Sequence, residues 1–414
     1  MRHSWLLLAA ALAWAGADPE FHARREALAK ALPDGVVVLY GQSEREDADL
    51  RNGFYQDSNF FYLTGWKAPG AALLIEPRRE ILFLPKHDPT RERWSGRQPA
   101  QDDSNIQEVA GFEMVLPPEA LERELRASLE RYPKVYTVGE EAIAKIKTLS
   151  PPGEVASAES AIARLRMKKS PREIELLQRS ADASIAAHLA AWKRAAPGLY
   201  EYQIASTILS TYLELGCERS AYAPIVGSGP NSVYLHYSKN SRRMDRGDLL
   251  LVDAGAECAG YAADITRTIP VGANFSARQR EIYEIVLGAQ KAAIAAVKPG
   301  AYIGGPGRPG RPSLLMIARD YIASHGKDLH GERLGKYFTH GISHHIGLDV
   351  HDASDNNVPL EEGMVISVEP GIYIPEENIG IRIEDMVLVT KDGARVMTAT
   401  LPREAAEIEK AIRK

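Results

Sequence analysis

The sequence has little cysteine, no strong charge imbalance and no apolar run long enough to cross a membrane. Only two cysteines, Cys217 and Cys258, occur among 414 residues. They could pair in an exported protein, but two small buried residues is the favoured interpretation because their spacing does not place them within bonding distance. The net charge is −5, and basic residues are interspersed with acidic ones, so nothing indicates a nucleic-acid surface. The composition is that of a globular protein.

The N-terminus has the pattern of a secretory signal. A charged start at residues 1–3 precedes an apolar run from Trp5 to Ala13 and then Ala15-Gly16-Ala17, which is typical of a cleaved leader. The run is shorter than the roughly 20 residues that span a bilayer, so no stable membrane insertion is expected. The alternative is a buried first helix. We predict a signal peptide over residues 1–17 and export to a periplasm or the exterior.

The remainder predicts two domains. Short apolar runs at 35–40, 71–75 and 81–84 predict strands, and helical patterns follow at 119–131 and 139–148, which together indicate an α/β N-terminal domain. Pro151-Pro152-Gly153 interrupts the chain. We therefore predict an N-terminal domain over 18–155 and a C-terminal domain over 156–414.

The second domain begins with a strong helix signal and then turns to strands. Ser170, Pro171 and Glu173 form the pattern of a capping box, and this helix is expected to end near Pro197. We expect further helices at 201–215, 277–297 and 313–324 and strands at 249–253, 262–269, 364–369 and 381–389. This mixture predicts an α+β fold. A loop rich in Gly, Pro and Arg at 304–312 has no predicted function.

Several acidic residues and histidines lie on or beside these apolar segments, where an unpaired charge would be costly. They form one predicted set of four carboxylates and one imidazole: Asp253, Asp264, His344, Glu369 and Glu384. Four converging carboxylates repel one another unless cations cancel their charge, so the set predicts two divalent metal ions and hydrolytic chemistry. Its oxygen-rich donors suit Mn²⁺, Co²⁺, Fe²⁺ or Zn²⁺. By composition His345 could replace His344, but the spacing from His340 and His351 favours His344.

Six separated motifs resemble the pita-bread metallopeptidases, and specifically the aminopeptidase P family. They are Val252-Asp253-Ala-Gly, Asp264-Ile-Thr-Arg-Thr268, His340-Gly-x-Ser-His344, Gly347-Leu-Asp-Val-His351-Asp352, Val368-Glu369-Pro-Gly-x-Tyr373 and Gly380-Ile-Arg-Ile-Glu384-Asp385. Residues 51–65 and 85–97 are similar to the creatinase-like N-terminal domain of that family. The resemblance implies a creatinase-like α/β domain followed by a pita-bread catalytic domain.

The resemblance also implies roles for individual residues. Asp264 and Glu384 would bridge two metal ions, most simply Mn²⁺, while Asp253 would bind one ion and His344 with Glu369 the other. The other implied catalytic residues are His236, His340, His351 and Arg382. Among them, His351 would donate a hydrogen bond to the scissile carbonyl oxygen. Arg382 would orient the carboxylates, and the Tyr373 hydroxyl would support that arrangement. Glu369 would pass a proton to the leaving proline nitrogen after attack by a metal-bridging hydroxide.

The implied activity is removal of the residue that precedes proline at the N-terminus of peptides. Xaa-Pro dipeptidase (prolidase) chemistry is the first alternative, and a non-catalytic peptide-binding module on the same fold is the second. Members of the family are commonly dimers or tetramers, so we expect a homo-oligomer in which Trp94 is a candidate for reaching a neighbouring subunit.

Overall fold

The computed structural model describes residues 17–45, 49, 53–148, 154–272, 274–305, 307, 312–355 and 357–413. The predicted signal peptide (all but Ala17), the Pro151–Gly153 break and much of the 304–312 loop lie outside these residues. The chain divides into two compact units, residues 1–165 and 166–414. The division falls within a helix, Glu159–Met167. No helix among the described residues is long and apolar enough to cross a bilayer.

The first unit is built around one mixed six-stranded sheet. In chain order its elements are α1 (Pro19–Ala31), β1 (Gly35–Tyr40), α2 (Ser58–Thr64), β2 (Ala72–Glu76), β3 (Arg79–Phe83), α3 (Pro89–Ser95), α4 (Ile106–Ala110), β4 (Val115–Leu116), α5 (Leu121–Leu129), β5 (Lys134–Thr137), α6 (Glu140–Thr148), β6 (Glu154–Ser157) and α7 (Glu159–Met167). The strand order is β4-β3-β2-β1-β5-β6. Strands β1 and β2 are almost wholly buried, as their apolar runs predict. Strand β6 pairs with β5, and the predicted boundary between residues 155 and 156 falls inside it.

The second unit is an α+β arrangement of small sheets and long helices. In chain order its elements are α8 (Pro171–Arg194), α9 (Glu201–Glu214), β7 (Arg219–Ser220), β8 (Ile225–Ser228), β9 (Leu249–Asp253), β10 (Ala256–Cys258), β11 (Tyr261–Ala262), β12 (Thr266–Pro270), α10 (Ala277–Ala296), α11 (Leu314–Ser324), β13 (Val365–Val368), β14 (Gly371–Ile374), β15 (Ile379–Arg382), β16 (Asp385–Thr390), β17 (Gly393–Val396) and α12 (Ala405–Ile412). The sheets have the orders β12-β9-β8, β11-β10-β7, β13-β16-β17 and β14-β15. One apolar core joins these strands to the inner faces of helices α8 to α12.

The helix signals at the start of this unit are confirmed. Ser170 accepts a hydrogen bond from the backbone of Glu173, whose carboxylate accepts one from the Ser170 backbone. Pro171 occupies the first helical position, where its missing N–H costs nothing. The capping box therefore fixes where α8 begins.

Two predicted strands were too long. The predicted strand 262–269 is interrupted between β11 and β12, and the predicted strand 381–389 is interrupted between β15 and β16. At each interruption the chain changes partner: β11 pairs with β10 and β12 with β9, while β15 pairs with β14 and β16 with β13. The chain leaves strand geometry for two or three residues where the partner changes, and the apolar pattern does not record the change.

Candidate metal centre

Four acidic residues lie where a strand ends and the chain changes its pairing partner. Asp253 is the last residue of β9, and Asp264 lies between β11 and β12. Glu369 follows β13, and Glu384 lies between β15 and β16. A side chain at such a break is released from the strict two-residue alternation of a strand. All four carboxylates can therefore face one place.

A close backbone contact places the first two breaks together. Gly255 lies just after β9, and a Cβ atom built there would be 1.8 Å from the carbonyl oxygen of Ala263. Only glycine permits this approach. Next to this contact, Thr266 of β12 pairs with Asp253 of β9. Asp253 and Asp264 therefore lie at the same end of the β9–β12 pair.

The structure brings all five predicted ligands together. Donor atoms lie within 4.8 Å of one another in three overlapping groups: Asp253, Asp264 and Glu384; His344, Glu369 and Glu384; and Asp264, His344 and His351. The Nε2 atom of His344 lies 3.2 Å from a carboxylate oxygen of Asp264 and 3.4 Å from one of Glu369. The five side chains line a cavity of about 570 Å³.

Arg382 lies against this cluster. Its Nη2 donates to Asp253 at 2.5 Å, its Nη1 to the Tyr373 hydroxyl at 2.8 Å, and its Nε to the Thr266 hydroxyl at 3.1 Å. The guanidinium is almost fully buried. The contacts with Tyr373 and Thr266 fix the planar guanidinium, which in turn holds Asp253 in place. Its positive charge also offsets part of the negative charge of the carboxylates.

Three hydroxyl groups at the site were missed by the sequence analysis. The Tyr222 hydroxyl lies 2.5 Å from Asp253 Oδ1 and 2.5 Å from Asp264 Oδ1. Thr266 donates to Glu384 at 2.7 Å, and Ser367 donates to Glu369 at 3.1 Å. Each orients a carboxylate, which is how supporting residues tune metal sites. Thr266 stands in a quoted motif beside Asp264, so its spacing could have indicated it; Tyr222 has no comparable signal.

The electrostatics of the cluster reflect crowded negative charge in a buried place. Burial, with Asp264 and Glu369 nearby, raises the pKa of Glu384 well above its ordinary value. Burial likewise raises the pKa of Glu369 to about 7. Burial opposes charge on His344, but Asp264 and Glu369 outweigh it and raise the pKa of this imidazole to about 9. The site therefore favours added positive charge.

The donor set fits divalent cations. Oε1 of Glu384 is buried and has no hydrogen-bond partner among the residues that the structure describes. An oriented carboxylate oxygen without a protein donor, among three further carboxylates, needs a cation in place of hydrogen. The candidate ligands are carboxylate oxygens and imidazole nitrogen, and an oxygen-rich set of this kind suits hard or borderline ions.

The remaining predicted histidines line the same cavity. His236 and His340 contribute to its wall, and the Tyr373 hydroxyl lies 2.9 Å from Nε2 of His340. The ring of His351 lies 4.0 Å from that of His344, centroid to centroid. His345 is buried instead and contributes its carbonyl oxygen, which accepts from Nδ1 of His344 at 3.1 Å. This bond leaves Nε2 of His344 directed at the carboxylates.

A disulfide joins Cys217 and Cys258, so the interpretation as two separate buried residues was wrong. Cys217 lies two residues before β7 begins, and Cys258 ends β10, which pairs with β7. Strand pairing brings the two side chains together across 41 residues, and nothing local in the sequence reports that proximity. The bridge ties the segment that leads to Tyr222 to the hairpin between Asp253 and Asp264.

The buried, carboxylate-rich centre and its cavity define a metal-dependent hydrolase built on small antiparallel sheets. Residues 175–391 match the model of metallopeptidase family M24, and residues 21–136 match the aminopeptidase P N-terminal domain. The Xaa-Pro aminopeptidase of Haemophilus influenzae is 36% identical, with 94% of this chain and 96% of that protein covered. Human Xaa-Pro aminopeptidase 3 is 32% identical, with 90% and 80% covered.

Solved structures agree along almost the full length. Escherichia coli aminopeptidase P with the inhibitor Pro-Leu has a TM-score of 0.84 and 31% identity, covering 95% of this chain and 98% of that one. Pseudomonas aeruginosa aminopeptidase PepP has a TM-score of 0.85 and 30% identity, covering 95% and 97%. The chain therefore belongs to metallopeptidase family M24, as an aminopeptidase P with the N-terminal domain of that group. The predicted fold class is confirmed, and the molecule is a metallo-exopeptidase.

Proposed function

We propose that this protein removes the N-terminal residue from peptides whose second residue is proline, and that it does so with two Mn²⁺ ions. The observation that carries the proposal is the convergence of four carboxylates and His344 on one cavity. A non-catalytic binding module has no need of such a costly cluster. The named relatives do not favour the Xaa-Pro dipeptidase alternative.

Asp253, Asp264, His344, Glu369 and Glu384 would hold the two ions. When bound, divalent ions polarise a carbonyl and make hydroxide available at neutral pH. The protein's own contribution is to fix the donors. Arg382 and Tyr222 hold the aspartates, and Ser367 holds Glu369 through a 3.1 Å hydrogen bond.

The second contribution is to place groups around the scissile bond. His351, beside His344, would donate to the carbonyl oxygen as negative charge develops on it. Glu369 would carry the proton that the leaving proline nitrogen must gain. His236 and His340 would contact the residue after the cleaved bond, next to the apolar side chains of Ile225 and Leu235 that line the same cavity.

Proline at the second position requires a dedicated site. The bond that precedes proline has no N–H, and the pyrrolidine ring fixes the backbone, so a peptidase that binds the scissile N–H cannot use it. The carboxylate cluster and the histidines line the cavity and would contact such a substrate without needing that N–H.

Location and assembly complete the proposal. We propose export to a periplasm or the exterior, supported by the leader pattern at 1–17 and by the Cys217–Cys258 bridge, because disulfides persist in oxidising compartments. We also propose a homo-oligomer. Trp94, which is 89% exposed, is the candidate side chain for contact with a neighbouring subunit.

The test is hydrolysis of Ala-Pro-Ala beside Ala-Pro by metal-stripped protein with Mn²⁺, Co²⁺ or Zn²⁺ restored. Alanine release from the tripeptide is expected, fastest with Mn²⁺ and abolished in Glu384→Gln. Glu376→Gln, at an exposed carboxylate, is the matched control and should retain activity. Preference for the dipeptide would indicate a prolidase, and no cleavage of either with any metal would refute catalysis.

A further inference from the structure

A buried group of opposite charges lies directly beside His351. We call it the Asp352 cluster, and its members are Arg166, Lys169, Asp349 and Asp352. Lys169 Nζ donates to Asp352 Oδ2 at 2.8 Å, and Arg166 Nη2 donates to Asp352 Oδ1 and to Asp349 Oδ2, the latter at 2.7 Å. The side chains of Arg166, Lys169 and Asp352 are no more than 2% exposed. The two positive and two negative charges sum to zero, so no charge in the cluster is left without an opposite partner.

The cluster joins two distant parts of the chain. Arg166 lies in the last turn of α7 and Lys169 in the short connection to α8, whereas Asp352 is 186 and 183 residues further on. Lys169 Nζ also donates to the carbonyl of Arg166 at 2.6 Å, which fixes the turn itself. The carboxylate of Asp352 is therefore held by two cations that lie three residues apart in the chain.

The loop at 347–352 is shaped around that carboxylate. A Cβ atom at Gly347 would lie 2.2 Å from Asp352 Oδ2, so the carboxylate occupies space that only glycine leaves open. The Gly347 carbonyl accepts from the backbone of Ala262 at 2.8 Å, next to the break that carries Asp264. The loop is thus fixed to the metal-ligand hairpin at one end and to Arg166 and Lys169 at the other.

Two contacts lead from Asp352 into the metal centre. Asp352 is covalently next to His351, whose ring packs on that of His344. The backbone N–H of Asp352 also donates to the His345 carbonyl at 2.9 Å, and this same carbonyl accepts from Nδ1 of His344. Displacing Asp352 would therefore move His351 and disturb the bond that orients His344.

We propose that Lys169 and Arg166 are positioning residues for peptide hydrolysis, which hold Asp352 so that His351 faces the scissile carbonyl. Neither cation lines the cavity among the described residues, so neither contacts substrate. The inference rests on the proposed function for its kinetic part. A cluster that only stabilised the fold would need no connection to His351 and would affect unfolding alone.

The decisive experiment is a double-mutant cycle between Lys169→Met and His351→Ala with Ala-Pro-Ala and Mn²⁺. His351→Ala should lower kcat by roughly a hundredfold, as for loss of one donor to a developing oxyanion. Lys169→Met should lower kcat by roughly tenfold, the usual effect of losing a supporting contact, with KM within about twofold. In the double variant Lys169→Met should cause no further loss, because its effect passes through His351.

Arg25→Met is the matched control. It removes an equally buried cation from an ion pair with Glu80 in the first unit, and it should lower stability while kcat stays within about twofold of the wild type. Should Lys169→Met fail to fold, Asp352→Asn, which keeps the shape of the side chain, takes its place in the cycle. A kcat within about twofold of wild type, or losses that multiply in the double variant, would overturn the proposal.

Hydrogen exchange separates this inference from the proposed function. Amides of residues 345–352 should exchange faster in Lys169→Met than in the wild type, while those of α9 should not change. A wild type that cleaves no substrate would refute the proposed function without touching this readout. Unchanged exchange in 345–352 would refute the positioning role whatever the activity.

Discussion

Tyr222→Phe removes one oxygen from the metal centre and leaves the ring in place. The hydroxyl lies 2.5 Å from both Asp253 and Asp264, and Tyr222 lines the cavity beside them. A hydroxyl carries one proton, so it donates to one carboxylate at a time. The change therefore deletes one hydrogen bond to a charged group, worth about 1.5–3 kcal/mol. The same hydrogen bond exists without metal, so the Kd does not take its full worth; losing a supporting contact of this kind typically weakens metal binding by about ten- to a hundredfold, and the Kd for Mn²⁺ should rise by that factor.

Calorimetric titration of metal-stripped protein with Mn²⁺ measures this directly, with thermal unfolding as a check on folding. Tyr136→Phe is the control, because that hydroxyl donates to the Asp34 carboxylate at 2.8 Å in the first unit and should leave the Kd unchanged. The reasoning would be refuted if Tyr222→Phe bound Mn²⁺ as tightly as the wild type does.

Three further predictions concern stability. Replacing both Cys217 and Cys258 by serine opens a loop of 41 residues and should lower the free energy of unfolding by roughly 2–4 kcal/mol, seen as a lower urea midpoint. Burial disfavours the charged form of Asp352, but the positive charges of Lys169 and Arg166 outweigh burial and lower the pKa of Asp352. The ionised Asp352 therefore contributes to the free energy of unfolding above the ordinary carboxyl pKa of about 3.9, and this contribution is lost as the pH falls through the lower pKa of the folded state. In urea titrations from pH 5 downward, the free energy of unfolding of Asp352→Asn should therefore fall less steeply with pH than that of the wild type. Gly347→Ala should lower the thermal midpoint, because its Cβ would displace the Asp352 carboxylate, and an unchanged midpoint would contradict the packing argument.

The acidic residues of the candidate metal centre could be predicted to form one cluster, because the energetic cost of burying each of them is visible in the sequence. Glu384 stands within an apolar run, and an acidic residue there needs a partner. The helix at 171–194 was likewise predictable, since the capping box at Ser170 is a local signal. Both arguments depend on neighbouring residues only.

The supporting contacts could not be predicted, because they connect segments that only the fold brings together. Tyr222 lies 31 and 42 residues from the aspartates it contacts. Cys217 and Cys258 become neighbours only through the pairing of β7 with β10. The strand breaks at Asp264 and Glu384 were missed for the same reason, since an apolar run looks the same whether or not its pairing partner changes.

The disulfide also changes what happens if the backbone is cut. The covalent ring from Cys217 to Cys258 encloses Tyr222, His236 and Asp253. A single cleavage anywhere between residues 218 and 257 would leave both fragments in one molecule, which would migrate as one band without reductant and as two with it. In the exported setting that we propose, where other proteases are present, a nicked enzyme would keep the pieces of its metal centre tethered together.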